Sequence, residues 1–370
     1  MRIVLVSDAW EPQINGVVTT LKRTCEELTA LGHTVEVIGP DRFRTLPCPG
    51  YRSIRLAVLP GRQLTQLLDG LTPDAIHIAT EGPLGQTARR YCLNRGLDFT
   101  TAYHTQFPEY LALRTPIPAR WTYAAVRRFH APAARTMVAT ASQQALLEEH
   151  GFGHLVRWSR GVDTTLFRPR DKDFLLAPRP IAMYVGRVAV EKNLDAFLAL
   201  DLPGSKFVVG DGPALAGLRE RHPTVRFTGF KHGEELAQHL AAADVFVFPS
   251  RTDTFGLVLL EAMACGVPVA AFPVTGPKDV VLPDVTGALH EDLGRAVRQA
   301  LRLDPAACVA HARAYSWRNA TLQFLANLAP LRQPAMPAAA ATPDAGHCCP
   351  GRGAVSPHEV TRPDQPSTAR

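Results

Sequence analysis

The chain has 370 residues, a formal net charge of +6, 46% hydrophobic residues and 20% charged ones. That length exceeds one ordinary core and points to two domains of about 150–170 residues each. No apolar run approaches the ~20 residues of a membrane span, the charge is too weak to argue for nucleic acid, and seven Cys, scattered apart from Cys348–Cys349, fit no disulfide framework.

The opening MRIVLVSDAW reads as a first strand at 3–7, not a signal peptide, because Ser7 and Asp8 interrupt a short apolar run. This implies a cytoplasmic protein. Val17, Val18, Leu21, Cys25, Leu28 and Leu31 recur at helical spacing, which predicts a helix over 17–31 stopped by Gly32. Strands are expected at 34–39, 75–79, 99–103 and 136–141, with a helix around 84–95. Between residues 109 and 148 there is no acid, but Arg114, Arg120, Arg127, Arg128 and Arg135 occur, with Trp121, Tyr123 and Phe129 among them. Such a segment suits an anionic membrane surface; an ordinary solvated helix face explains the same residues.

Residues 168–180 are Pro-rich and charged and read as a linker. The alternation then restarts, with strands at 181–186, 206–210, 225–229, 244–248 and 267–272. Helices are expected between them near 193–200, 213–221, 233–242 and from about 256. Two such series predict an α/β fold of two doubly wound parallel sheets facing each other across a cleft. The domains would be 1–167 and 181–330, joined by the linker, with 331–370 a disordered tail rich in Pro, Ala, Gly and Ser. The tail sequence His347-Cys348-Cys349 lacks the second ligand pair a metal site needs.

Ligands of such sheets bind outside the carboxyl ends of the strands, so the loops there carry the candidates. In EPQINGVVTTL, Gly16 permits close backbone approach at a helix N-terminus, an anion site in principle; a plain Asn-Gly turn explains it equally. The dinucleotide fingerprint GxGxxG is absent. In GRVAVEKN (186–193), Arg187 and Lys192 are placed to neutralise a diphosphate, or else to pair with Glu191. In VGDGPAL, Asp211 is a ligand contact or turn chemistry. In YHTQFPEYL, His104 is a proton carrier or polar contact facing the cleft, or a structural His. In RTDTFGLVLLEA, Asp253 falls in a loop, as a ligand acceptor or a helix cap, and Glu261 falls within the following helix among apolar residues. The N–H groups of Phe255 and Gly256 lie at that helix's start. Two acids plus free N–H groups match the hydroxyls and oxygens of a sugar. Asp171-Lys172-Asp173 has the form of a DxD metal signature but sits in the linker with no strand before it.

Together these stretches resemble glycosyltransferase family 4, retaining enzymes of the GT-B fold, over residues 1–328 or so. PSRTDTFGLVLLEAMACGVPVAA is similar to the family's Glu-x7-Glu region, and GRVAVEKNL, VGDGP, FTGF, SRGVDTTLFRP and NGVVTTL support the match. NGVVTTL, YHTQFPEY and TDTFG point to the branch of sulfoquinovosyl-diacylglycerol synthases and GDP-mannose-dependent α-mannosyltransferases. The resemblance implies that Glu261 holds the nucleotide ribose and that Asp253, where the family has Glu, contacts the donor sugar. It implies that Phe255, Gly256 and Leu257 offer backbone contacts, and that Arg187 and Lys192 clamp the diphosphate with Gly16 opposite. It places His104 near the reacting carbon, Gly229 and Phe230 beside the base, and Asp211 at the donor. Thr275-Gly276 departs from the usual Gly-Gly loop. The implied activity is hexosyl transfer from GDP-mannose or a UDP-hexose, with no cofactor or metal, to an acceptor that the Arg-rich segment would make lipid-linked. The alternatives are a nucleotide-sugar epimerase of the same architecture and a degenerate nucleotide-sugar-binding protein.

Overall fold

The computed structural model describes residues 1–48, 51–112 and 115–331. Arg114, His347-Cys348-Cys349 and the expected tail beyond Leu331 lie outside the described residues. The apolar runs become strands β1 (Arg2–Val6), β2 (Thr34–Ile38), β3 (Thr45–Cys48), β4 (Tyr51–Ala57), β5 (Ala75–Ile78), β6 (Thr100–Tyr103), β7 (Arg135–Val138) and β8 (Leu155–Arg157). A second series follows: β9 (Ile181–Val185), β10 (Ser205–Val209), β11 (Arg226–Gly229), β12 (Val245–Phe248), β13 (Val269–Ala271) and β14 (Gly287–Leu289).

Two six-stranded sheets result, ordered β2-β1-β5-β6-β7-β8 and β11-β10-β9-β12-β13-β14. Every pairing in them is parallel. Strands covered by helices on both faces must be apolar on both, which is why Ile3, Val4, Leu5 and Val6, and likewise Val245, Phe246 and Val247, are wholly buried. β3 and β4 form a separate antiparallel hairpin that the sequence reading did not contain. In each sheet the strand order reverses beside the first strand of its series, between β1 and β5 and between β9 and β12. A crevice opens at such a point, because neighbouring connections leave in opposite directions.

The helix Trp317–Asn327 and Leu328 after it, expected with the second domain, pack instead on the first sheet. The helix Trp317–Asn327 places Phe324 and Leu328 in one cluster with Ile3, Leu5, Leu21 and Trp158. Phe324 lies 4.8 Å from Trp158 and 4.9 Å from His77, ring centre to ring centre. Arg135, counted in the basic segment, donates to the Ala326 and Leu328 carbonyls (3.0 and 3.4 Å) and so anchors this helix. The linker is pinned as well: Arg179 bonds Asp244 at 2.7 Å, and Arg170 pairs with Glu234. Asp171 accepts the N–H of Asp173, a turn role rather than a metal one.

Phe324→Ala removes a wholly buried ring from the joint between the last helix and the first sheet. We expect it to destabilise the protein by about 3–5 kcal/mol, read as a lower urea midpoint with the slope unchanged.

Candidate active site

The loop after β9 and the loop after β12 flank the crevice of the second sheet, and one ion pair ties them together. Lys192 Nζ lies 2.7 and 2.8 Å from the two Asp253 carboxylate oxygens. Only 16% and 17% of these side chains are exposed. Burial works most strongly against the Lys192 charge, but the adjacent Asp253 carboxylate together with Tyr110 and Tyr184 outweighs it and holds the ammonium above its ordinary value. Asn193 Nδ2 bonds the Pro249 carbonyl (3.0 Å), which fixes the same two loops a second time. Arg187 is half-buried in the first of them, and its carbonyl accepts the Tyr184 hydroxyl at 2.8 Å.

The β12 loop ends on Gly256 in the left-handed region (φ +80°), which an L side chain rarely adopts. Its helix, Leu257–Ala264, starts immediately after it. The Phe255 ring is buried against Tyr315, so its contribution to the cleft is its backbone. Among the described residues, no backbone hydrogen bond uses the N–H of Phe255 or Gly256. Glu261, one turn further, is half-buried and its carboxylate makes no hydrogen bond among the described residues. Burial pushes it up to about 7, partly countered by Arg23 of the first sheet's opening helix.

The first sheet meets these loops directly. Thr254 Oγ1 donates to the His104 carbonyl (2.9 Å), Thr140 Oγ1 to the Thr254 carbonyl (3.3 Å), and Gln106 Nε2 to the Asp253 carbonyl (3.4 Å). Ser142 N–H donates to Asp279 at 2.9 Å. A Cβ on Gly16 would lie 3.6 Å from Leu257 Cδ1, so the helix Gly16–Ala30 starts against the start of Leu257–Ala264. Asn15, not Gly16, carries the capping oxygen, which accepts from Val17 and Val18.

Gly16, His104, Lys192, Asp253, Phe255, Gly256 and Leu257 are thus linked in one cleft, with Glu261 on the same helix as Leu257. His104 is half-buried, its Nε2 sealed from solvent without a partner among the described residues. Burial, then Arg160, depresses its basicity well below the usual range, which favours a polar contact over a proton carrier. Gly229 ends β11 and the exposed Phe230 follows it, two strands from β9, roughly 10 Å away at ordinary strand spacing. Asp211 is exposed and accepts its neighbour's N–H (2.7 Å), while its carbonyl accepts from Val188 (2.9 Å). It therefore shapes the loop that carries Arg187. A Cβ on Gly210 would meet the Gly186 carbonyl at 1.9 Å, so VGDGP is built for close loop packing.

Two residues of this cleft went unremarked in the sequence. Tyr110 lies beside Thr252 and the Lys192–Asp253 pair; burial pushes its phenol up to about 12, against the pull of Lys192. Arg160 is 4% exposed and lies 3.3 Å from His104 Nδ1. Both stand inside stretches already singled out, YHTQFPEYL and SRGVDTTLFRP, but only the fold sets them against the site.

Family models match both halves: "Glycosyltransferase Family 4" over residues 14–166 and "Glycosyl transferases group 1" over 179–303. A GDP-mannose-dependent alpha-mannosyltransferase of Mycobacterium tuberculosis is 33% identical, covering 78% of this chain and 83% of its own. The chain belongs to glycosyltransferase family 4. A sulfoquinovosyl transferase of Arabidopsis thaliana is 32% identical over 73% of this chain and 55% of its own. Among solved structures, a sucrose-phosphate synthase from Thermosynechococcus elongatus superposes with a TM-score of 0.70 at 23% identity, over 88% of this chain and 97% of that one. The Anabaena HepE protein in complex with UDP and glucose gives 0.67 at 16%, over 88% and 98%. The two-sheet architecture of this glycosyltransferase is therefore GT-B, as expected.

The Glu261 carboxyl is raised from 4.5 on folding, so its contribution to stability is present below pH 4.5 and lost as pH rises through 7. Glu261→Gln removes that loss. We expect the variant to match the wild type near pH 4.5 and to exceed it at pH 8 by about 1–3 kcal/mol, measured by chemical denaturation at both values.

Proposed function

We propose that this glycosyltransferase is a retaining hexosyltransferase that takes its sugar from GDP-mannose or a UDP-hexose. The observation that carries the reading is the convergence of Lys192, Asp253, the N–H groups of Phe255 and Gly256 and the Glu261 carboxylate, the last three without a hydrogen-bond partner among the described residues, on a loop and helix that start against Gly16. Glu261 supplies acceptors for ribose hydroxyls. Arg187, Lys192 and the backbone at Gly16 receive the diphosphate. Asp253, Phe255 and Gly256 address the sugar, with His104 near the reacting carbon. Gly229 and Phe230 lie where the base would extend. The relatives named for GDP-mannose favour mannose, whereas the Asp in place of the family's Glu leaves the sugar open.

The free site holds Lys192 on Asp253. An arriving diphosphate offers Lys192 a stronger anion, and its capture releases the Asp253 carboxylate to accept sugar hydroxyls. Cleavage of the anomeric bond builds negative charge on the leaving diphosphate and positive charge on the sugar. The two cations and the helix N-termini stabilise the former without needing a metal ion. In this reading the Asp253 carboxylate is committed to the sugar's hydroxyls, and among the described residues no other carboxylate is assigned to the sugar. We therefore assign retention to front-face attack, the leaving phosphate taking the acceptor's proton; a trapped glycosyl-enzyme adduct would sink this.

The acceptor is lipid-linked in this reading, and the enzyme works at the inner face of a membrane. The helix Ala119–His130 buries Tyr123, Val126 and Phe129 and leaves Arg120, Trp121, Arg127 and Arg128 exposed. Trp121 is 64% exposed, and Phe107 and Ile117 nearby in sequence are also out. Relatives named for phosphatidylinositol dimannoside mannosyltransfer and monoglucosyldiacylglycerol synthesis fit a lipid acceptor. Among the described residues no helix is long and apolar enough to cross a membrane.

A panel of UDP- and GDP-sugars tests the donor reading. One donor should bind and hydrolyse slowly, lose affinity in Glu261→Ala, and lose about 10²–10³ in rate in Arg187→Ala. Equal binding by the Glu261 variant would show the nucleotide lies elsewhere. An altered sugar nucleotide released without acceptor would favour the epimerase, and no binding at all a degenerate relative. For the membrane contact, the enzyme should co-sediment with anionic vesicles. Reversing Arg120 and Arg128 to Glu should weaken this at least fivefold per charge, at roughly 1 kcal/mol each; undiminished sedimentation would reduce the segment to a solvated face.

A further inference from the structure

Arg160 is a buried cation that the donor reading leaves without a task. Its Nη1 donates to the carbonyls of Trp158 (2.6 Å) and Ser159 (3.0 Å). Its guanidinium carbon sits 4.5 Å over the Trp158 ring. Its Nη2 lies 3.3 Å from His104 Nδ1, and the same indole meets the His104 ring edge-on at 5.5 Å. Among the described residues no carboxylate pairs with it. The guanidinium is thus held in place by backbone and by stacking, with one arm spent on the histidine.

A guanidinium has donors and no acceptor, so the nitrogen facing it must offer a lone pair. A neutral imidazole that accepts at Nδ1 carries its proton at Nε2. His104 Nε2 is the atom that is buried and lacks a partner, next to the Thr254–His104 contact that joins the two sheets' loops. A buried donor left unpaired needs a partner from outside the chain, a water or a ligand atom, and this one lies at the cleft.

We propose that Arg160 is a positioning residue: by donating to Nδ1 it fixes His104 in the Nε2–H tautomer, so that the ring presents an N–H to an oxygen of the donor sugar. This rests on the nucleotide-sugar reading for the identity of that oxygen. The chemistry gives the choice a purpose. Positive charge grows at the anomeric carbon, and an imidazolium beside it would oppose that growth. The groups acting on the ring's charge are Arg160, His77 and His130. His77 is buried and held neutral, its pKa lowered to about 3 by burial and by Arg160, so Arg160 is the fixed charge among them.

The test is two-bond proton–nitrogen NMR of the histidines on the full chain, with His104 assigned by its loss in His104→Gln. The wild type should show the proton on Nε2 from pH 6 to 8. Arg160→Gln should mix the tautomers and bring an acid limb into the rate profile. It should lower kcat by roughly 10–100-fold, as loss of an orienting partner does, with the donor KM nearly unchanged. In a His104→Gln background the same change should cost nothing further. A wild-type proton on Nδ1 overturns the proposal without any variant. So does an Arg160→Gln protein whose His104 pattern is unchanged, or a double variant in which the two losses multiply. The NMR pattern is read without donor, so failure of every nucleotide sugar to bind would sink the transferase reading separately.

Discussion

The Lys192–Asp253 pair is the interaction on which the site's geometry depends. It closes the crevice between β9 and β12, where the sheet's connections diverge and no backbone ladder can hold the two loops together. A pair this sheltered stabilises modestly while intact. Removing one partner costs about 3–5 kcal/mol, because the other charge is stranded. The loop so fixed is the one that reaches the first sheet, through Thr254 to His104 and through Asp253 to Gln106. One side of the cleft is shaped by this ion pair, which the donor would break in the proposed reading.

This arrangement couples binding to shape. An anionic ligand that takes Lys192 also loosens the segment carrying Asp253, Phe255 and Gly256. The free energy of the pair is then part of the difference between free and occupied states. The two helix starts at Gly16 and Leu257 face the same space from opposite sheets, and their dipoles favour negative charge there. The polar loop-to-loop bonds between the sheets are few and lie at the carboxyl ends of strands, so a change in the β12 loop is felt by His104 before it is felt by either core.

Much of this was legible because strands buried on both faces read as short continuous apolar runs. IVLV, AIHI, IAMYV and VFVF each became a strand where expected. The three-residue strands β8 and β14 and the hairpin β3–β4 lack such a run and were not seen. The final helix has its own amphipathic pattern, but nothing local says which sheet it covers; Phe324 finds Trp158 and His77 only in three dimensions. The motifs located the cleft, since loops after strands must converge there. They did not reveal that Lys192 would hold Asp253 or that Arg135 would anchor the last helix, though turn chemistry at Asp211 was readable from Gly-Asp-Gly-Pro. A charge's partner is a fact of the fold, not of spacing.

The unsatisfied polar groups complete the case. A folded chain leaves few buried donors and acceptors unpaired, because each costs about 1–3 kcal/mol. Among the described residues His104 Nε2 is sealed without a partner, the Phe255 and Gly256 N–H groups meet no carbonyl, and Glu261 sits half-buried with no side-chain hydrogen bond. Thr228, Arg170 and Thr321 also leave buried side-chain atoms unpaired elsewhere, but the groups at the cleft lie on loops that touch one another, with donors on both sheets and an acceptor on the helix between. Together they match what a polyhydroxylated, doubly phosphorylated ligand lacks in water-free surroundings: acceptors for its hydroxyls and donors for its oxygens. In the proposed reading, stability forgone at these positions is recovered when such a ligand binds, which would account for a fold otherwise so regular tolerating them at this cleft.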